Sequence, residues 1–197
     1  MNPINVITGS MVPLPRANVD TDQIMPKQFL KRVERTGYGE FVFYDWRRDE
    51  PGFVIDRPEY QGAKVLVAGP NFGSGSSREH APWGLQDWGF DAVISPVFAD
   101  IFRNNCMKIG LLPVELSEKE CQWLIELAES DPTAEVIIDL SEQTVTYGTE
   151  FEARFEIDPF TKYRLLNGLD DIGLTLQHAA DIDTFEAGRP AYKPSLA

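Results

Sequence analysis

Cysteine, histidine, positive charge and long apolar runs are all scarce in this chain. Among its 197 residues the only cysteines are Cys106 and Cys121, far apart and with no Cys-x-x-Cys spacing. That argues against a disulfide framework and against a self-contained zinc or iron–sulfur site, and a reducing, cytoplasmic setting is the simplest expectation. Histidine occurs only as His80 and His178, so there is no credible histidine–acid pair for a serine hydrolase. Basic residues number 18 against 31 acidic ones, a formal net charge of -13, which disfavours nucleic acid or an anionic membrane surface as the main partner. A local arginine pair can still overrule that field for a small anion. No apolar run approaches the roughly 20 residues needed to span a bilayer, and the first ten residues lack the basic start and apolar core of a secretory signal. The chain shows no repeat, low-complexity tract or interdomain linker, and 43% hydrophobic with 25% charged residues is the balance of a globular protein with a sizeable core.

What is present is concentrated in one polar, glycine-rich stretch, Gly69-Pro70-Asn71-Phe72-Gly73-Ser74-Gly75-Ser76-Ser77-Arg78-Glu79-His80. It follows a strand-like run at 63–68 and precedes helical spacing at Trp83, Leu85 and Trp88. Glycines let the backbone turn sharply and approach a ligand, and the opening of a helix welcomes an anion through its free N–H groups and dipole. The stretch is no Walker A loop, no dinucleotide fingerprint and no nucleophile elbow, because Gly-Lys-Ser/Thr, the third glycine and Gly-x-Ser-x-Gly are each missing. Ser76 also begins an S-x-x-E capping pattern. Pro82 weighs against that cap: a helix starting nearer Glu79 puts Pro82 in the permissive first turn and leaves Ser76, Ser77 and Arg78 in the approach loop. Both roles for Ser76 stay open on these residues alone. His80 reads as a packing or capping residue and Cys106 as core. Acid–base chemistry would then fall to a serine, which acts as a base only if backbone N–H groups, a helix N-terminus or a cation stabilise its alkoxide.

In chain order, Ile4, Val6 and Ile7 predict a short strand closed by Thr8-Gly9-Ser10. The proline- and Asn/Asp-rich run from Val12 to Ile24 predicts a loop, with Arg16 a solvated charge and Asp20 and Asp22 turn formers. A short helix is expected from Lys27 to Val33, then a turn at 36–39, an aromatic run from Phe41 to Trp46 suited to packing, and a charged surface excursion over 47–58. The centre alternates strand and helix: strands at 63–68, 92–95 and 111–115, helices to Gly89, over 98–108 and over 117–129, the last with a Ser117–Glu120 capping box. That order implies parallel strands with right-handed crossovers. Past Pro132, period-two runs at 136–140, 144–147 and 151–155 predict antiparallel strands, followed by a helix over 170–180 and a loosely held tail.

Asn18-Val19-Asp20-Thr21-Asp22-Gln23-Ile24 with Gly73-Ser74-Gly75-Ser76-Ser77-Arg78-Glu79-His80-Ala81 resembles the swivelling domain of the aconitase superfamily, closest to the 3-isopropylmalate dehydratase small subunits. The likeness continues through Phe98-Ala99-Asp100-Ile101-Phe102-Arg103-Asn104-Asn105 and Leu166-Asn167-Gly168-Leu169-Asp170-Asp171-Ile172-Gly173, nearly the full chain. It implies an α/β fold: an aconitase-like swivelling domain, three-layer β/β/α, with a mainly parallel core sheet plus antiparallel C-terminal strands. Within a single domain over 1–197, residues 1–60 would hold the first strand, an active-site loop and a mobile substrate-side excursion. Residues 61–130 would form the parallel core with the Gly-Ser loop, and 131–197 the antiparallel strands, last helix and tail.

The resemblance also implies a hydro-lyase of leucine biosynthesis, taking 2-isopropylmalate through 2-isopropylmaleate to 3-isopropylmalate. In that family a large subunit holds a [4Fe–4S] cluster whose one unligated iron binds substrate hydroxyl and carboxylate, so no cofactor is expected on this chain and the pair forms a heterodimer. Carried over by position, Ser76 matches the catalytic base, Ser77 and Arg78 match carboxylate-binding residues, and Arg16 matches a second carboxylate-binding arginine. Arginine forks meet carboxylates through two parallel bonds, which suits a dicarboxylate. Asp20 and Asp22 are assigned structural work. The loop 28–36, with Leu30 and Val33, is the candidate for the isopropyl side of the substrate. Related subunits serving citramalate, homocitrate or methylcitrate, and a non-catalytic phosphate-binding module, are the alternatives.

Overall fold

The computed structural model describes residues 1–31 and 36–189. In chain order the regular elements are β1 (Val6–Leu14), α1 (Thr21–Ile24), α2 (Tyr44–Asp49), β2 (Val65–Ala68), α3 (His80–Trp88), β3 (Ala92–Ser95), α4 (Asp100–Ile109), β4 (Leu112–Glu115) and α5 (Glu118–Ser130). Then follow β5 (Glu135–Asp139), β6 (Thr144–Tyr147), β7 (Phe151–Arg154), α6 (Pro159–Leu166), α7 (Asp171–Leu176) and α8 (Ala179–Ala187). Single 3-10 turns lie at Lys27–Phe29, Gly39–Phe41, Val54–Asp56 and Pro58–Tyr60.

One seven-stranded sheet runs in the order β4-β3-β2-β1-β5-β6-β7. The four strands from β4 to β1 are mutually parallel, while β5 joins β1 antiparallel and continues into the β6 and β7 meander. Strands β2 and β3 are buried at every position, as central parallel strands covered on both faces must be. On one face Leu66, Ala68 and Val93 pack with Leu85 of α3 and with Phe102 and Cys106 of α4. On the other, Val65, Val67, Ile94 and Val114 pack with Cys121, Leu124 and Ile125 of α5. The meander continues the sheet past the flank of α5, where Trp123 stacks on Phe151 at 4.5 Å between ring centroids, while Glu118, Gln122 and Glu126 on the outer side of α5 stay exposed. Helices α3 and α4 on one face of the sheet, and α5 with the antiparallel strands on the other, make a layered α/β fold.

Several local expectations need correction. Strand β1 does not stop at Thr8-Gly9-Ser10: those residues pair with Ile137, Val136 and Glu135, and the strand runs on to Leu14. Pro13 is tolerated inside it because the β5 pairing covers only Val6 to Ser10, so beyond that point β1 has β2 as its one strand neighbour. The helix expected from Lys27 to Val33 is a 3-10 turn over Lys27–Phe29, and Val33 lies outside the described residues. The 47–58 excursion begins inside α2 and sends Phe53 and Ile55, 4% and 0% exposed, into the core. Among the described residues after β7 the chain forms three helices rather than one. Asp158 caps α6 and Pro159 takes its first turn, the usual pairing of cap and proline at a helix start.

Candidate active site

The carboxyl ends of β1, β2 and β3 deliver three loops to one edge of the sheet, where open α/β folds bind ligands. The loop after β2 is the glycine-rich stretch. Its backbone is tied to the loop after β1 by bonds from Asn18 N–H to the Pro70 carbonyl (2.9 Å) and from Gly73 N–H to the Val19 carbonyl (2.8 Å). The loop after β3 holds it from the other side: Phe72 N–H donates to the Val97 carbonyl (3.1 Å) and Ala99 N–H to the Phe72 carbonyl (3.0 Å). Phe72 itself is fully buried and meets Phe102 edge-on at 5.4 Å. Gly73 and Gly75 take left-handed φ values of 78° and 88°, which lets the chain double back at Ser74 and expose Ser76 and Ser77 to solvent.

Helix α3 opens at His80 with Glu79 at its N-cap, so Pro82 occupies the third helical position, where an N–H has no acceptor within the helix. Ser76 is therefore not a cap. Its backbone carbonyl accepts a bond from the Thr21 hydroxyl (2.9 Å), and Thr21 N–H donates to the Ser74 carbonyl (2.9 Å). Thr21 begins α1, whose start is fixed by a reciprocal box: Gln23 N–H donates to the Asp20 carboxylate (2.7 Å) and Asp20 N–H to the Gln23 side-chain oxygen (2.9 Å).

Arg78 is fork-bonded to Asp22, with Nη2 at 2.9 Å from Oδ2 and Nη1 on Oδ1, and its side chain is 15% exposed. The Arg78 hydrogen bond holds the Asp22 carboxyl below its ordinary range, so the pair is ionised at neutral pH. Arg16 leaves the end of β1 and makes its own fork with Glu50, Nη1 to Oε1 at 3.0 Å. Its guanidinium lies 4.3 Å from the Trp46 ring centre and 5.3 Å from that of Phe53, a cation–π seat that fixes the plane of the fork. The Arg16 bond likewise holds Glu50 low. Arg16 and Glu50 are 36% and 44% exposed, so solvent screens this pair and its net contribution is small.

The structure thus brings Ser76, Ser77 and Arg78 together with α1. Arg16 makes none of these contacts: it lines a cavity of about 310 Å³ with Glu50, Phe53, Arg57, Tyr60 and Glu129, while its backbone lies against Gly69 at the start of the glycine-rich loop. Leu30 is half-buried and packs against the core cluster beneath the loops. His80 sits edge-on to Tyr38 at 5.2 Å and beside Trp83 at 4.8 Å, and burial lowers its pKa, so it is a neutral packing residue. Sequence reasoning missed Thr21 and Glu50. The Asp-x-x-Gln box at Asp20–Gln23 was readable as a helix start and would have placed Thr21 at the head of a helix. Nothing local marks Glu50 as the partner of Arg16.

The cysteines do not fit a cluster. Cys106 and Cys121 are buried in the cores on opposite faces of the sheet, and burial pushes the Cys106 thiol well up and that of Cys121 to about 12. Among the described residues no three His, Cys, Asp or Glu side chains gather as a metal site, and no helix is long and apolar enough to cross a membrane.

Residues 1–119 match the family model of the aconitase C-terminal domain, and residues 171–197 match that of the C-terminal domain of the 3-isopropylmalate dehydratase small subunit. Residues 124–159 match a third model, LeuD_N. The chain is 56% identical over 196 residues to the 3-isopropylmalate dehydratase small subunit of Rubrobacter xylanophilus, covering 100% of both. It belongs to that small-subunit family. The Acidothermus cellulolyticus member is 57% identical over 195 residues, covering 99% of this chain and 98% of the relative. A solved 3-isopropylmalate dehydratase structure from Methanocaldococcus jannaschii, 24% identical, superposes with a TM-score of 0.67 over 91% of this chain and 99% of its own, which supports the fold. Family membership gives the glycine-rich loop its context: a small subunit is half of an enzyme.

Proposed function

We propose that this chain is the small half of a cytoplasmic hydro-lyase that isomerises 2-isopropylmalate to 3-isopropylmalate in leucine biosynthesis, acting as a single swivelling domain against a large subunit. The observation that carries the reading is the exposed Ser76, held on a clamped turn beside the fixed Arg78 fork in a member of this family. The Ser76 alkoxide takes the proton from the carbon beside a carboxylate. The C–H electron pair becomes the C=C bond of isopropylmaleate, and hydroxide leaves from the neighbouring carbon. Water then adds with the opposite orientation.

Arg78 lowers the cost of the alkoxide and, with Ser77, receives the substrate carboxylate. Arg78 keeps its orientation because Asp22 holds the fork. Arg16 receives the second carboxylate after exchanging Glu50, an exchange that the exposure of that pair makes inexpensive. The [4Fe–4S] cluster that the family uses to activate the leaving hydroxyl belongs to the large subunit, since the thiols here are buried on opposite faces of the sheet. Leu30 and Val33 are assigned to the isopropyl side of the substrate. Unchanged kcat/KM in both Leu30→Ala and Val33→Ala would remove that assignment.

The decisive assay is anaerobic hydration of isopropylmaleate by this chain alone, by a cluster-loaded large subunit alone, and by the two mixed. Activity is expected only in the mixture and is lost on Ser76→Ala. A silent mixture with proven cluster and complex would shift the substrate to another hydroxy diacid. Activity from this chain alone would overturn the split-enzyme reading.

A further inference from the structure

We infer that Thr21 is the positioning residue that sets Ser76 for proton transfer, by a contact separate from the one that holds Arg78. The inference rests on the reading of Ser76 as base and deepens it. The turn bearing Ser76 hangs from Thr21 at two points, the Thr21 N–H on the Ser74 carbonyl and the Thr21 hydroxyl on the Ser76 carbonyl, both at 2.9 Å. Thr21 is 2% exposed although Ser76 stands in solvent. Between the two accepted bonds Gly75 turns left-handed, and a Cβ there would lie 3.4 Å from Asp20 Cβ and 3.7 Å from the Thr21 hydroxyl, so the turn lies close against the head of α1.

The next residue, Asp22, reaches outward to Arg78. Consecutive residues of one capped helix therefore hold the base and the carboxylate clamp by independent bonds. A serine abstracts a carbon-bound proton only from a narrow range of positions, whereas a guanidinium fork oriented by its own partner binds a carboxylate whether or not the serine is in place. Removing the Thr21 hydroxyl should therefore affect turnover and spare substrate binding.

The test uses the complex with the large subunit and measures kcat and KM for isopropylmaleate. Thr21→Val keeps the side-chain shape and strips the Ser76 carbonyl of its donor. The expected result is a kcat lower by about tenfold to hundredfold, the range a misplacement of the order of 1 Å produces, with KM unchanged. Thr21→Ser, which keeps the hydroxyl, is expected to restore kcat. Asp22→Asn should show the opposite split, with KM rising more than kcat falls. Gly75→Ala strains the same turn through its left-handed φ of 88° and is expected to repeat the kcat loss, which keeps the test open should Thr21→Val fail to fold. A normal kcat in Thr21→Val or in Gly75→Ala, or a Thr21→Ser variant as impaired as Thr21→Val, overturns the inference. Ser76→Ala in the same assay separates the two levels. If it is active, the reading of Ser76 as base fails; if it is dead while Thr21→Val is normal, only the role of Thr21 fails.

Discussion

The glycine-rich loop and the C-terminal helices invert the usual link between regularity and definition. The loop has almost no regular structure, yet its backbone is bonded to Asn18, Val19 and Thr21 on one side and to Val97 and Ala99 on the other. Helices α7 and α8 are regular, and α7 is capped by Asp170, yet neither contains a buried residue. Ile172, Leu176 and Phe185 are 70%, 62% and 70% exposed. The loop's bonds join segments about 25 to about 55 residues apart in sequence, so they break only when packed parts of the fold separate, whereas the bonds of α8 are local and open with little else disturbed. Definition at the site comes from long-range bonding rather than from helix or strand.

The strongest way to break this contrast is Gly73→Ala. Its Cβ would fall 2.1 Å from the Phe102 ring at a φ of 78°, so denaturant unfolding should show a loss on the order of 2–4 kcal/mol. Glu50→Gln comes next and bears on Arg16. If Arg16 takes substrate, weakening its internal carboxylate lowers KM for isopropylmaleate with kcat unchanged, and an unaltered KM would assign Arg16 to structure. Acidification has a smaller effect. Asp22 and Glu50 are more acidic in the fold than in the unfolded chain, so their contribution is present above the ordinary carboxylate range and is lost as pH falls through the lowered values. The urea midpoint should therefore drop as pH falls below the ordinary carboxylate range, and less steeply in Asp22→Asn. At the far end of the scale, Phe185→Ser should move stability by no more than about 0.5 kcal/mol, because no packing is lost. A large loss in the isolated chain would show that α8 is held by more than its own bonds.

Much of the fold was legible because its signals are local. Period-two runs gave β5, β6 and β7, the Ser117–Glu120 box gave the start of α5, and the position of Pro82 placed the start of α3 beside Glu79. Signals that depend on a neighbour were not legible. Pro13 marks a loop unless β5 is known to end its pairing at Ser10, and Phe53 and Ile55 look like surface until the core beneath them is seen. Asp158-Pro159 does carry a helix-start signal, although only the later helix is predicted. At the site, the Gly-Ser-Arg pattern is contiguous and readable. Asp22 on Arg78, Thr21 on Ser76 and Glu50 on Arg16 are meetings across 56, 55 and 34 residues, which no window of sequence contains.

The placement of the two cysteines has a use beyond excluding a metal. Each thiol is sealed in a different core, one under α3 and α4 and the other under α5, and neither ionises while buried. An alkylating reagent therefore marks a face of the sheet only once that face has opened. The order in which Cys106 and Cys121 acquire the label becomes a clock for which side of the molecule comes apart first, with no engineered probe required.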